Sequence, residues 1–173
     1  AIECEDAARG FDSRVTNSEG ASVTSSSSVS VYGNSHGFLA GYPKTSHSIS
    51  CVVVGESNGD MERDYWYSSA RDAMDLETPE EIGKTAARRT VQRRGSRKIK
   101  TGKAPVLFAP EVARGFIGHA ISAVSGGAQY RKSTFLLDAV GEKIFPEFVQ
   151  IQERPHILKG MSSTPFDAEG VAT

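Results

Sequence analysis

Residues 46–69 read SHSISCVVVGESNGDMERDYWYSS, and this stretch decides the fold. In its first half Ile49, Cys51 and Val53 alternate toward one face, the period of a β-strand with one side buried. Ser57, Asn58, Gly59 and Asp60 follow, and Asn-Gly between two strand-like runs is a strong hairpin signal. The return run places Met61, Arg63, Tyr65 and Tyr67 on one face and Glu62, Asp64 and Trp66 on the other. A register fixed by this alternation predicts an antiparallel pair.

Upstream, the serines at 25–28 have the composition of a flexible linker. Val23, Val29, Val31 and Tyr32 flank them at strand spacing, so a strand is expected, turned at Gly33-Asn34. Residues 21–70 thus read as an antiparallel meander with one side open to water or a partner. Residues 1–20 are polar and are expected as a linker leading into the domain, with a turn over Thr16–Gly20.

Downstream, residues 77–95 read ETPEEIGKTAARRTVQRRG. Thr78 is placed as an N-cap, Pro79 opens the helix, and Glu81 completes a capping box. Ile82, Ala86 and Val91 form its apolar stripe and Gly95 ends it. Residues 104–110, APVLFAP, are expected as a buried strand, and a helix is expected from Glu111 to Val124. A short helical piece near residues 135–139 and strands within residues 142–155 complete an α+β reading.

The chain of 173 residues has a net charge of −1, 38% hydrophobic and 24% charged residues. That balance predicts no strong field toward nucleic acid or an acidic membrane. No run of ~18 apolar residues is present, so no membrane span is expected. Cys4 and Cys51 form no CxxC pair, and a cytoplasmic setting is expected. The run RRTVQRRGSRKIKTGK, residues 88–103, is basic and contains no aromatic for base stacking. A solvated face or a protein contact is favoured over direct nucleic-acid binding. His36 and His47 lack an evident third metal ligand, and His156 follows a proline in a turn-like segment.

The segment RGFIGHAISAVSGG, residues 114–127, holds His119 on a helical stripe with Gly115, Phe116, Ser122 and Ala123. A helical zinc site needs a second imidazole and a carboxylate to activate water. Here Arg114 and Gly115 precede His119, and neither serves.

Several strings resemble the PmbA (TldE) branch of the TldD/PmbA metalloprotease family, also labelled modulator of DNA gyrase. They are VYGNSHGFLAGYPKTSHSISCVVVGE, MERDYWYSSARD, APVLFAPEVARGFIGHAISAVSGG, YRKSTFLLD and ERPHILKGMSSTPFDAEGVAT. The resemblance runs over nearly the whole chain. It implies a cytoplasmic bacterial two-subunit protease whose TldD-type subunit binds zinc through a His-Glu-x-x-x-His helix. Aligned on the shared Gly-His, the second histidine falls on His119, the first on Arg114 and the catalytic glutamate on Gly115. The pattern is degraded at both, so catalytic residues and metal ligands are expected to be absent from this chain. Zinc is expected in a TldD-like partner, and peptides are the expected substrates. Tyr65, Trp66 and Tyr67 are candidate partner or substrate contacts. The chain reads as a central piece of a longer protein, with residues 21–173 belonging to a partial β-rich C-terminal domain.

Overall fold

The computed structural model describes residues 1–57, 59–93 and 95–173; Asn58 of the expected turn and Arg94 of the basic run lie outside the described residues. The chain divides into two units, Ala1–Lys98 with Glu153–Thr173, and Ile99–Gln152.

The first unit is built on a three-stranded antiparallel sheet in the order β1-β2-β3, with β1 Val15–Gly33, β2 Leu39–Ser57 and β3 Asp60–Ala70. The register pairs Cys51 with Trp66 and Ala21, and Val53 with Asp64 and Ser18. Cys51 and Val53 therefore share one face, against which Ile49 and Trp66 also pack. Two helices cover that face, α1 Ile2–Arg9 and α2 Pro79–Gln92. The core is small: Cys4 and Ala8 from α1, Val15, Cys51 and Val53 from the sheet, and Ile82, Ala86 and Ala87 from α2. Burying Ile82 alone contributes roughly 1.5–3 kcal/mol. Residues 1–20, expected as a linker, carry α1 and the start of β1.

The meander, the serine strand and the α2 cap are as the sequence indicates. Thr78 Oγ1 accepts from the Glu81 N–H at 3.2 Å, and the Glu81 carboxylate accepts from the Thr78 N–H, also at 3.2 Å. Asn34 ends the β1–β2 hairpin by accepting from the N–H groups of His36 and Phe38.

The turn expected over Thr16–Gly20 is a pair of irregularities within β1. Register shifts fall between Val15 and Asn17 and between Ser18 and Gly20, and Gly20 has φ +101°. Turn-forming residues inserted in a long strand make bulges when the partner strand continues past them. Ser18 Oγ accepts from the Gly20 N–H there, 2.9 Å away.

Residues 153–173 return to the far end of the hairpin. Phe166 meets Phe38 and Tyr42 edge-on at centroid distances of 5.4 and 5.3 Å, and Tyr32 lies 5.9 Å from Phe38. Arg71, just past β3, donates to the carbonyls of Thr45, Gly160 and Met161. Lys159 bridges Asp72 and Asp75, both at 2.8 Å.

The second unit holds α3, Pro110–Val124, and α4, Gly126–Tyr130. Residues 104–110 form no strand, and Leu107 is wholly exposed. The expected strands within residues 142–155 and the helix near residues 135–139 are likewise absent; both stretches are turns and irregular backbone. These apolar runs have the composition of strands, but a strand needs a ladder partner. Among the described residues of this unit none is present.

Candidate functional site

Pro110 opens α3 with its fixed φ, and Ser125 ends it by donating to the Ser122 carbonyl at 2.9 Å. Gln129 Nε2 and Thr134 Oγ1 both donate to the Ala123 carbonyl, at 3.1 and 2.7 Å, folding residues 129–136 back on the helix end. His119 lies beside this fold-back, in a shallow cavity lined by Ser122, Ala123, Ser133, Thr134 and Phe135. Arg114, Gly115 and His119 are all exposed. Gly115 and His119 stand one helical turn apart. A β-carbon built on Gly115 or Gly118 meets no atom within 4 Å. Among the described residues nothing therefore excludes a larger side chain at 115.

The metal chemistry of α3 is poor. Among the described residues no group of three or more His, Cys, Asp or Glu side chains is placed to hold a metal ion. A guanidinium at 114 stays protonated and repels a cation, and glycine at 115 offers no general base. Zinc does not fit the residues that α3 presents, and no hydrolytic step follows from them.

The other histidines are dispersed. His36 lies exposed in the β1–β2 turn, His47 Nδ1 is 3.0 Å from Ser25 Oγ, and His156 Nε2 donates to the Thr173 carbonyl.

The three aromatics of β3 divide between the faces. Tyr65 and Tyr67 stack on the face away from the helices, with centroids 6.3 Å apart and planes 22° apart. Trp66 turns toward the helices, donates from Nε1 to Glu77 at 3.1 Å, and carries the Arg89 guanidinium 5.2 Å above its ring.

The basic run is partly committed within the fold. Arg89 and Arg93 both approach Asp64 Oδ2, at 3.5 and 3.3 Å, and Asp64 is buried. Asp64 Oδ1 also accepts from the Tyr65 N–H. Arg88 lies over the Phe11 ring. This ion cluster, and the Arg71 contacts to residues 160 and 161, had no local signal in the sequence; their partners are distant along the chain.

Comparison with known proteins divides the chain near residue 100 and assigns residues 153–173, which pack in the first unit, to the second profile. The PmbA/TldA metallopeptidase central-domain profile matches residues 1–94, and the C-terminal-domain profile of that family matches residues 101–173. The chain belongs to the PmbA/TldD metallopeptidase family. It is 55% identical over its full length to Metalloprotease PmbA of Escherichia coli O157:H7, and 44% identical to a Metalloprotease PmbA homolog of Haemophilus influenzae. It spans 38% of the length of each of these PmbA relatives. Crystal structures of two proteins described as candidate modulators of DNA gyrase share its fold. The one from Thermotoga maritima superposes with a TM-score of 0.90 at 28% identity, over all of this chain and 40% of that one. The one from Bacteroides thetaiotaomicron gives 0.89 at 28% identity, over 99% of this chain and 40% of its own. No helix among the described residues is long and apolar enough to cross a membrane.

Proposed function

We propose that this chain is the central part of a PmbA-type subunit of a cytoplasmic, two-subunit zinc metalloprotease, and that this subunit is itself non-catalytic. Its role in that reading is to pair with a TldD-like subunit and help enclose a chamber for peptide substrates, leaving hydrolysis to the zinc-bearing partner. The observation that carries the reading is the chemistry of α3, which offers one imidazole at His119 and neither ligand nor base at Arg114 and Gly115. Extended peptides can bind such a protein by backbone hydrogen bonds to a sheet edge. The stacked pair of exposed Tyr65 and half-buried Tyr67 offers a flat surface for substrate or partner. Trp66, facing the helices, has less freedom for that role. The engagement of Arg88, Arg89 and Arg93 within the fold weighs against direct nucleic-acid binding by the basic run.

The test is peptide cleavage and zinc content, measured for the intact polypeptide, for a TldD-type subunit, and for the mixture. Cleavage is expected to require the TldD-type subunit, to follow its zinc, and to survive His119→Ala in this polypeptide. Zinc-dependent cleavage by this polypeptide alone, lost in His119→Ala, overturns the proposal.

A further inference from the structure

The sequence holds two cysteines, far apart along the chain. Cys4 comes from the first turn of α1, and Cys51 from β2, the central strand of the sheet. The fold brings them together in the core, both fully buried and both free thiols. The Cys51 thiol donates a hydrogen bond to the Cys4 sulfur. The Gly83 N–H lies within hydrogen-bond reach of that same sulfur. The pair is therefore asymmetric: Cys4 accepts from two donors, while Cys51 keeps its proton. In a dithiol so arranged, the accepting sulfur is the nucleophile and its neighbour resolves the product.

Burial closes both sulfurs to bulky or charged reagents. Hydrogen peroxide differs, being uncharged and scarcely larger than water. Burial also pushes both thiols up. A small thiolate fraction makes the attack slow, so the pair responds to sustained exposure and not to a brief pulse. The same burial favours the oxidised form once it exists, because a fold that gives a thiolate no stabilisation does not favour reduction. A covalent tie also has something to hold here. α1 has eight residues, no side-chain hydrogen bond at its N-cap, and only Cys4 and Ala8 in the core. An element that buries so little apolar surface opens locally at small cost.

We propose that Cys4 and Cys51 are a peroxide-oxidisable dithiol whose disulfide fastens α1 to the central strand of the sheet. The Cys4 thiolate sulfur attacks one peroxide oxygen and the O–O bond breaks. The departing hydroxide takes up the proton that Cys4 released and leaves as water, and Cys4 becomes a sulfenic acid. The Cys51 sulfur then attacks the Cys4 sulfur, the S–O bond breaks, and the hydroxide leaves with the Cys51 proton as a second water. The two sulfurs lose two electrons and the peroxide gains them. Thiols already in hydrogen-bond contact need only a small approach to form the S–S bond. A dithiol reductant reverses the change by exchange. The proposal is independent of the protease reading, because it requires neither zinc, nor α3, nor a TldD-type subunit.

The test treats the intact polypeptide with hydrogen peroxide at about pH 8.5, where a free thiol ionises. Met74, which is exposed, serves as an internal measure of dose. Once Met74 is fully converted to its sulfoxide, peptide mass spectrometry is expected to find Cys4 joined to Cys51. Oxidised glutathione, bulky and charged, is expected to form the same bond at least about tenfold more slowly. In the oxidised protein the α1 amides are expected to exchange at least about tenfold more slowly, because the helix can no longer leave the sheet, and a dithiol reductant should restore the faster exchange. In Cys51→Ser, peroxide is expected to leave α1 exchange unchanged and to carry Cys4 on to the sulfinic acid. Free thiols at both positions after full oxidation of Met74 overturn the proposal. So does sulfinic acid on Cys4 of the unaltered protein without the disulfide, a disulfide that leaves α1 exchange unchanged, or oxidation by glutathione disulfide as fast as by peroxide.

Discussion

Gly83 of α2 sits directly on the carbonyl oxygen of Cys4 in α1, so close that a β-carbon at 83 would overlap that atom. The two helices that cover the sheet cross at this point, and glycine is what lets their backbones touch. The neighbours that would have to move are themselves backbone, the Cys4 carbonyl and the Ala8 amide, and cannot rotate away. Gly83→Ala is therefore expected to destabilise the protein by about 1–3 kcal/mol, despite the better helix propensity of alanine. Urea unfolding measures this; an unchanged or higher midpoint would show that α1 can shift on α2 at no cost.

Cys4 and Cys51 meet beneath that crossing. Burial pushes both thiols up, Cys51 to about 12, with Cys4 beside it adding to the effect. A thiol in the unfolded chain ionises near about 8.5. Above that pH the unfolded state loses a proton that the folded Cys51 keeps. Its contribution to stability is thus whole below about 8.5 and is lost as pH rises toward 12, at up to about 1.4 kcal/mol per pH unit. Stability measured from pH 8 to 11 should fall, and Cys51→Ala should flatten the fall while lowering stability at neutral pH. Both thiols should resist alkylation until the protein unfolds. Rapid labelling of native protein at pH 8 would contradict the burial.

Asp64 is buried between two guanidinium groups that are more exposed than it is. Asp64→Ala leaves Arg89 and Arg93 without their shared acceptor and the Tyr65 amide without its partner. Because water reaches both arginines, the expected cost is about 2 kcal/mol, below that of a fully buried pair. Equilibrium unfolding checks the value. Asp64→Asn, which keeps an acceptor for the amide, should recover part of it.

Arg71 ties residues 160 and 161 to β2 through backbone carbonyls, whatever their side chains. Arg71→Ala is expected to raise hydrogen exchange and protease sensitivity across residues 156–173 while leaving β2 and α2 protected. The Lys159 bridge to Asp72 and Asp75 is exposed, so high salt should act in the same direction and more weakly. If exchange rises equally in β2, the segment is part of the core and not a strap laid upon it.

The sequence was most legible where local chemistry and burial agreed. The alternation Ile49, Cys51, Val53 required a strand with one wet face, and the Thr78 cap fixed where α2 begins, because both signals act between residues a few positions apart. Thr16–Gly20 misled because turn chemistry does not reveal whether the partner strand continues; here it does, and the turn becomes a bulge. APVLFAP misled because apolar residues mark burial against something, and that something need not be a strand of the same unit.

For the site, the sequence by itself determined only side-chain chemistry: a guanidinium at Arg114 and no side chain at Gly115, neither of which binds a metal or takes a proton, since that capacity is a property of a side chain's atoms. Tertiary structure decided the rest: that Trp66 faces inward while Tyr65 and Tyr67 face out, that Asp64 gathers the arginines of the basic run, and that residues 153–173 return to the hairpin. These depend on pairings between positions far apart in sequence. No local pattern encodes them, because their free energy arises only after the sheet has brought the partners together.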